Sequence, residues 1–124
     1  MPRITLPEID LELDEGDIYA GIILNDDGTP GHHLVLLPGD HEDTTWQAAV
    51  DWAKSINGEL PTRREQSLLF ANCKQHFKAD WYWSGEPYAS DASYAWIQTF
   101  GDGGQILTLI SNQLRARAVR RLPI

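Results

Sequence analysis

The chain has 124 residues, of which 42% are hydrophobic, and a formal net charge of −8, which is the size and composition of one small globular domain. No apolar run approaches the roughly 20 residues of a membrane-spanning helix, and the N-terminus lacks the apolar segment of a secretory signal, so we expect neither membrane insertion nor signal-directed export. Cys73 is the only cysteine, which excludes an internal disulfide and a cysteine-based zinc site.

Acidic residues are concentrated in the first half of the sequence. Residues 1–62 contain 13 Asp and Glu against 2 Lys and Arg, whereas residues 63–124 contain 5 against 8. Contacts to phosphates of nucleic acids need Lys and Arg, so we expect no direct nucleic acid binding. The acidic half is either a solvated face or a surface that engages a basic partner, for example by imitating nucleic acid. The sequence alone leaves both alternatives open.

The first 40 residues predict β-structure. Residues 9–14 alternate apolar with acidic side chains, which is typical of a strand with one face in water. Residues 18–24 and 33–37 are two further apolar, β-prone runs, and the residues between them, 25–31, favour a turn. We therefore predict a β-hairpin. The second strand should end at the Pro-Gly-Asp sequence of residues 38–40.

The first predicted helix covers residues 45–57. Thr44 and Gln47 have the spacing of a capping box at its start. Trp46 begins an apolar stripe with helical spacing, so we expect its ring in the core. Gly58 follows the helix and is expected to end it in a left-handed conformation.

The second predicted helix covers residues 62–77. Thr62 and Glu65 repeat the capping-box spacing, and Pro61 lies just before the cap, where it does not interrupt the helical hydrogen bonds. Cys73 falls on the apolar stripe of this helix, so we expect it to be a small core residue rather than a reactive thiol.

Beyond residue 80 the sequence predicts short aromatic strands. The expected strands are 81–84, 93–100, 106–110 and 115–122, with a turn at residues 101–104. Alternation places one set of side chains on a single face of the second of these strands: Tyr94, Trp96, Gln98 and Phe100. We therefore predict one α+β domain over residues 1–124, with two helices set in a mostly antiparallel, twisted sheet.

Short motifs follow one another in a set order along the chain. They are Leu60-Pro61-Thr62 with Glu65, Trp81-Tyr82-Trp83-Ser84, Tyr94-Ala95-Trp96 with Phe100, Asp102-Gly103, and Arg117-Ala118-Val119-Arg120. Their order and spacing over residues 44–122 resemble the C-terminal domain of the Lcl collagen-like adhesins and its relatives. Within the N-terminal hairpin region, residues 1–40, two runs look like a subgroup carried by bacteriophages and prophages: Tyr19-Ala20-Gly21-Ile22-Ile23-Leu24 and His32-His33-Leu34-Val35-Leu36-Leu37-Pro38-Gly39. The resemblance implies a C-type-lectin-like fold and a binding domain.

Chemical motifs are weak in this sequence. Nucleophilic catalysis needs a Ser or Cys beside a base, and the one cysteine is expected in the core. The sequence Glu86-Pro87-Tyr88 differs in its third residue from the Glu-Pro-Asn calcium motif of true C-type lectins. His32 and His33 are adjacent on a predicted strand, so they point to opposite faces and do not chelate together. We therefore expect no enzyme activity, no cofactor and no metal site.

The late strands and the loops between them display the ligand surface in related C-type-lectin-like domains. The resemblance therefore implies a ligand-binding site at Ser84, Glu86, Tyr88, Tyr94, Trp96 and Gln98. Tyrosine and tryptophan are also favoured anchors of binding surfaces in general.

Two functions follow as hypotheses. The first is a non-enzymatic binding module of phage or prophage origin, which recognises a protein or a glycan at a host surface. The second is an intracellular inhibitor of a host defence or nucleic-acid enzyme, which acts through the acidic N-terminal half. Either protein would reside in the host cytoplasm or in a virion, and self-association is compatible with both.

Overall fold

The computed structural model describes residues 3–5 and 10–124. Within them the secondary structure elements, in chain order, are β1 (Ile18–Leu24), β2 (Pro30–Leu36), β3 (His41–Thr44), α1 (Trp46–Ser55), α2 (Arg63–Cys73), a 3-10 turn (Lys74–His76), β4 (Trp81–Pro87), β5 (Tyr94–Thr99), β6 (Gln105–Leu109), β7 (Leu114–Ala116) and β8 (Val119–Pro123). The predicted α+β class with two helices is confirmed. The narrower prediction of a C-type-lectin-like fold stays a prediction.

The strands form two sheets. One has the order β1-β2-β8, and the other has the order β3-β7-β4-β5-β6. Strands β4 and β7 run parallel, and the other neighbouring pairs run antiparallel. The last strand therefore returns to the N-terminal hairpin and joins the two ends of the chain in one sheet.

The predicted N-terminal hairpin is present, but the strand predicted before it is not. Strand β1 pairs with β2 in antiparallel register, and β2 begins at Pro30, earlier than expected. Residues 10–14 form no strand, while Ile9 lies outside the described residues. Alternating side chains produce a strand only where a neighbour completes the backbone hydrogen bonds, and residues 10–14 have no such neighbour in the described part of the chain.

Helix α1 begins without the predicted capping box. Its N-cap is Thr45, whose side chain makes no capping hydrogen bond. Thr44 ends β3 instead, and its hydroxyl donates to the carbonyl of Thr45. The amide of Gln47 donates to Asp51 one turn further along the helix. The spacing was correct for a cap, but pairing with β7 places Thr44 inside the sheet.

The end of α1 also differs from the prediction. Asn57, with φ 61°, takes the left-handed conformation that was expected of Gly58. Its N–H donates to Lys54, and the N–H of Gly58 donates to Ala53, which is the bonding pattern of a Schellman motif. Gly58 is needed for space, because a Cβ there would lie 2.6 Å from a methyl group of Leu37.

Helix α2 begins as predicted. The Thr62 hydroxyl accepts from the N–H of Glu65 at 3.1 Å, and the Glu65 carboxylate accepts from the N–H of Thr62 at 2.8 Å. This reciprocal pair confirms the capping box. The α-helix ends at Cys73 and continues as the 3-10 turn.

The predicted last strand is two strands in different sheets. Strand β7 pairs in the larger sheet and β8 in the smaller one, with Arg117 and Ala118 between them. The buried guanidinium of Arg117 donates to the carbonyls of His76 at 2.6 Å and Leu37 at 2.7 Å. These two bonds partly offset the cost of burying a charged group where the chain crosses from one sheet to the other, although the Nε of Arg117 has no hydrogen-bond partner.

Two apolar clusters form the core. The first lies around Trp83 and Ile97 with the small residues of α1, and the second lies around Tyr82, Phe100 and the buried side of α2. Tyr82 and Trp83 are consecutive on β4 and point into different clusters, so this strand is buried on both faces. Cys73 belongs to the second cluster, as predicted. Trp46 is half-buried against the first cluster rather than inside it.

Candidate functional site

The six residues of the predicted ligand site divide into two groups. Four are half-buried and reach the surface: Glu86, Tyr88, Tyr94 and Trp96. The other two, Ser84 and Gln98, have no exposed surface.

Ser84 connects neighbouring strands. Its hydroxyl donates to the carbonyl of Trp96 at 2.7 Å and accepts from the N–H of Glu86 at 3.1 Å. The regular pairing of β4 with β5 is interrupted just after Trp83. Ser84 therefore replaces backbone hydrogen bonds at this irregularity and positions two residues that do reach the surface.

Gln98 connects α2 to the sheet. Its amide nitrogen donates to the carbonyl of Gln66 at 3.0 Å, and its amide oxygen accepts from Gln105 at 2.8 Å. A buried amide needs such partners, because an unsatisfied polar group costs about 1–3 kcal/mol. Gln98 is therefore a buried structural residue that links β5 to α2 and to β6.

Trp96 is held between a cation and a second aromatic ring. The central guanidinium carbon of Arg63 lies 3.5 Å from the centre of the Trp96 ring, within the distance of a strong cation–π contact. The ring of Tyr88 meets Trp96 at 89°, with 6.1 Å between ring centres. Two neighbours therefore fix the orientation of the indole.

Glu86 binds the beginning of α2. Its carboxylate accepts from the backbone N–H of Arg63, the first residue of the helix, at 2.6 Å. The first N–H groups of a helix have no partner within the helix, and the helix dipole favours an anion there. Glu86 is consequently a structural anchor as well as a half-exposed charge. Replacing it with alanine would disturb the helix as well as the surface.

The aromatic side chains continue across the next strand. In the antiparallel register of β5 and β6, Tyr94 lies opposite Leu109, and Trp96 lies opposite Leu107. Opposed residues on neighbouring strands share a face of the sheet. We name the five side chains Tyr88, Tyr94, Trp96, Leu107 and Leu109 the aromatic patch.

A cleft of about 560 Å³ adjoins the aromatic patch at the start of α2. It is lined by Ile23, His32, Thr62, Arg63, Arg64, Ser67, Glu86 and Gln105. Arg63 and Gln105 bond to each other across its floor, since the Arg63 guanidinium donates to the Gln105 side chain at 3.1 Å and the Gln105 amide donates to the Arg63 carbonyl at 2.8 Å. The residues that line the cleft come from five separate elements, β1, β2, α2, β4 and β6, so no local sequence pattern could have assembled them.

A buried carboxylate lies behind the cleft. Glu65 is 1% exposed, and its carboxylate lies 2.7 Å from His32 Nε2 and 2.7 Å from Arg121 Nε. Burial by itself raises the pKa of Glu65, but hydrogen bonds from Arg121, from the Thr62 backbone and from His32 outweigh it. The net pKa is lowered, so the group remains ionised at neutral pH. The capping box predicted the helical role of Glu65, but nothing in the sequence predicted its pairing with Arg121.

The cysteine and two neighbouring histidines of the described chain lie in structural contacts. Cys73 is buried, and burial raises the pKa of its thiol. Over residues 3–5 and 10–124, no three or more side chains of His, Cys, Asp or Glu gather as a metal ion would require. His32 and His33 point apart, as predicted: one bonds Glu65, and the other bonds Tyr19.

The acidic N-terminal segment lies on the surface. Its exposed carboxylates are Asp10, Glu12, Asp14 and Glu15. A second acidic group, Asp40, Glu42 and Asp80, is partly neutralised by ion pairs with Arg115. Among the described residues of the acidic half, Asp27, Asp43 and Asp51 are also exposed and in no ion pair, so the segment before β1 is the densest run of unneutralised carboxylates but does not hold all of them.

No protein-family model matches this chain, and no curated protein matches it. In the described part of the chain, neither α-helix has the length and apolar character needed to cross a membrane.

Proposed function

We propose that this protein is a non-enzymatic binding module that recognises a protein or a host-surface ligand through the aromatic patch and the adjoining cleft. The observation that carries the proposal is the Arg63–Trp96–Tyr88 cluster beside the cleft, in which the guanidinium lies over the indole and the tyrosine ring meets it edge-on. It combines half-exposed aromatic rings with charged groups. Binding hot spots are enriched in Trp, Tyr and Arg.

Preorganisation supports this assignment. The orientation of Trp96 is set by Arg63 and Tyr88, and the backbone beneath it is bonded by Ser84. Side chains that are already fixed lose little conformational entropy when a partner binds, so more of the contact energy contributes to affinity. The phage or prophage origin and the C-type-lectin-like fold rest on the resemblance of the motifs, and residence in a virion or in the host cytoplasm rests on it too.

Paired tyrosine substitutions test the site. We expect the double variant Tyr88→Ala, Tyr94→Ala to lose binding to proteins of a host-cell extract or to a glycan panel, with an unchanged unfolding transition. The matched control is Tyr19→Ala, which removes an exposed tyrosine from β1 in the other sheet. Equal binding by the double variant and the control would contradict the proposal.

A second function is favoured by the exposed acidic segment. We propose as the alternative that the protein inhibits a basic host enzyme, such as a defence or nucleic-acid enzyme, through Asp10, Glu12 and Asp14. All three carboxylates are exposed. Charge complementarity of this kind raises the association rate and is weakened by salt.

Charge reversal separates the alternatives. Replacing Asp10, Glu12 and Asp14 with lysine should abolish partner binding and its salt dependence if the acidic segment carries recognition. The same variant should bind normally if the aromatic patch does. Loss of binding in the acidic variant alone would overturn the leading proposal in favour of the alternative.

A further inference from the structure

Strand β6 is an edge of the larger sheet that lacks the usual protection against pairing. Proteins protect exposed edges with charges, prolines, bulges or short strands. Among the described strands, the other edges have such devices: β1 is bulged near Gly21, β3 carries two carboxylates, and β8 carries two arginines and a proline. Strand β6 reads Gln-Ile-Leu-Thr-Leu, and residues 103–114 contain no charged side chain and no proline.

The direction of the backbone groups on β6 follows from its register with β5. Thr99 N–H donates to Gly104 at 2.8 Å, and Ile110 N–H donates to Ser93 at 3.0 Å. Bonded positions alternate along an antiparallel strand, so the even-numbered residues of β6 bond to β5. The N–H and C=O groups of Gln105 and Leu107 and the N–H of Leu109 therefore point to the open side of the sheet, while the C=O of Leu109 accepts from the N–H of Asn112 at 3.0 Å.

From this geometry we propose that two copies of the chain pair through β6, antiparallel, about a two-fold axis at Leu107. In that register Leu107 lies opposite its own copy, and Gln105 lies opposite Leu109 of the second copy. Leu107 then exchanges both backbone hydrogen bonds with its copy, and the N–H of Leu109 donates to the C=O of Gln105 on the second copy. The N–H of Gln105 shares the Leu109 carbonyl with Asn112, because a carbonyl oxygen has two lone pairs. A shift of the axis to a neighbouring residue leaves an outward-pointing group of β6 without a partner on the second β6.

The side chains agree with the same register. Ile106 is 41% exposed and Leu109 is 42% exposed. Pairing places Ile106 opposite Thr108 of the second copy and Leu109 opposite Gln105. Each exposed apolar side chain thereby gains a cross-strand neighbour, and no like charges meet although the whole chain carries −8.

Pairing has a consequence for binding. A two-fold axis perpendicular to the sheet keeps the same faces on the same side, so the two aromatic patches become neighbours on one continuous surface. Two linked sites raise avidity when a ligand presents repeated epitopes. The self-pairing itself requires no ligand and can be tested without one, so its failure would leave the proposed binding function untouched.

The interface is small, and the association should be correspondingly weak. Stable interfaces bury roughly 1,200–2,000 Å² in total, more than a five-residue edge can supply. We expect sedimentation equilibrium to show a monomer at about 10 µM and a growing fraction of dimer towards about 1 mM, the range of weak association constants. A chain that stays monomeric over this whole concentration range would overturn the proposal. Strand β6 would then be open to pairing with a strand of a different protein.

Disulfide trapping tests the register, in a Cys73→Ala background that removes the native thiol. Directly opposed, bonded residues have Cα atoms about 5.5 Å apart, which suits a disulfide. Leu107→Cys should therefore form a covalent dimer on mild oxidation. Leu109→Cys should not, because the two copies of that residue would lie about 14 Å apart, four residues along the strand. Mixed Gln105→Cys and Leu109→Cys chains should cross-link to each other.

Blocking the edge provides the complementary test. Leu107→Pro removes an outward N–H without removing a bond to β5, and Leu107→Lys places two like charges opposite each other. Both should abolish dimer formation at about 1 mM, the upper end of the weak range, with the monomer still folded by circular dichroism. If Leu107→Pro unfolds the chain, the dimer fraction of Leu107→Lys tests the proposal instead. A dimer that survives Leu107→Lys, or a Leu109→Cys chain that cross-links to itself as readily as Leu107→Cys, would refute this pairing.

Discussion

Arg121 holds the carboxylate of Glu65 with two hydrogen bonds, from Nε to Oε2 at 2.7 Å and from Nη2 to Oε1 at 2.8 Å. This two-point contact joins β8 to the first turn of α2 and places a fully buried charge opposite its partner. Arg121 also donates to Glu59 at 2.6 Å. Parallel hydrogen bonds between a guanidinium and a carboxylate are among the strongest polar contacts in proteins.

Removing Arg121 should be strongly destabilising. Arg121→Met leaves the charge of Glu65 buried without its main partner, and breaking a buried pair in this way typically costs about 3–5 kcal/mol. The matched control is Arg64→Met, because the Arg64–Asp26 pair lies in solvent, where a pair contributes about 0–1 kcal/mol. Urea unfolding measures both. Similar losses in the two variants would show that burial of Glu65 does not determine the effect.

The same carboxylate predicts a dependence of stability on pH. The pKa of Glu65 in the folded chain lies below its ordinary value of 4.5. Because the unfolded chain takes up the proton first, the contribution of Glu65 is complete above pH 4.5 and is lost as the pH falls through the lower, folded pKa. Thermal unfolding between pH 7 and pH 2 should therefore show a steeper acid loss in the wild type than in Glu65→Gln. Parallel curves would contradict the lowered pKa.

Two glycines with the same backbone conformation should respond differently to alanine. Gly28 has φ +85° and nothing within 4 Å of an added Cβ, whereas Gly103 has φ +84° and a Cβ there would lie 2.8 Å from the Phe70 ring. Gly28→Ala should cost only the left-handed strain, about 1–2 kcal/mol. Gly103→Ala should cost about 1–3 kcal/mol more from overpacking. Equal melting temperatures for the two variants would show that Phe70 moves aside freely.

Trp46 should contribute more to stability than its partial exposure suggests. Its indole N–H donates to the carbonyl of Ser84 at 2.9 Å, and its ring packs against the first core cluster. Trp46→Ala should cost about 3 kcal/mol, at the lower end for tryptophan truncation. Trp81→Ala, at a tryptophan that is 41% exposed, should cost about 1 kcal/mol or less. If Trp46→Ala melts within about a degree of the wild type, the ring does not support the core.

Local signals in the sequence predicted the elements that depend on neighbouring residues. The capping box of Thr62 and Glu65 and the turn between β1 and β2 each need only a few consecutive residues, and both are present. The predictions failed where pairing with a distant segment determined the local structure. Thr44 has the spacing of a cap but belongs to a strand, because β7 supplies its pairing partner.

In the candidate site, too, local patterns predicted some features and contacts between distant residues determined others. Sequence reasoning selected Glu86, Tyr88, Tyr94 and Trp96, and these four reach the surface together. It could not anticipate that Arg63 covers Trp96, because those residues are far apart in the chain and meet only when α2 packs on the sheet.

By itself, the sequence determined the α+β class, the two helices, the hairpin and the buried cysteine, because periodicity, turn residues and caps act over a few residues. Tertiary structure alone decided that the last predicted strand divides between two sheets, that Ser84 and Gln98 are buried, and that Glu65 pairs with Arg121. Each of these outcomes satisfies a polar group with a partner from a distant part of the chain. The sequence shows which polar groups will need a hydrogen-bonding or charged partner once they are buried. Which residue becomes that partner depends on how the elements pack.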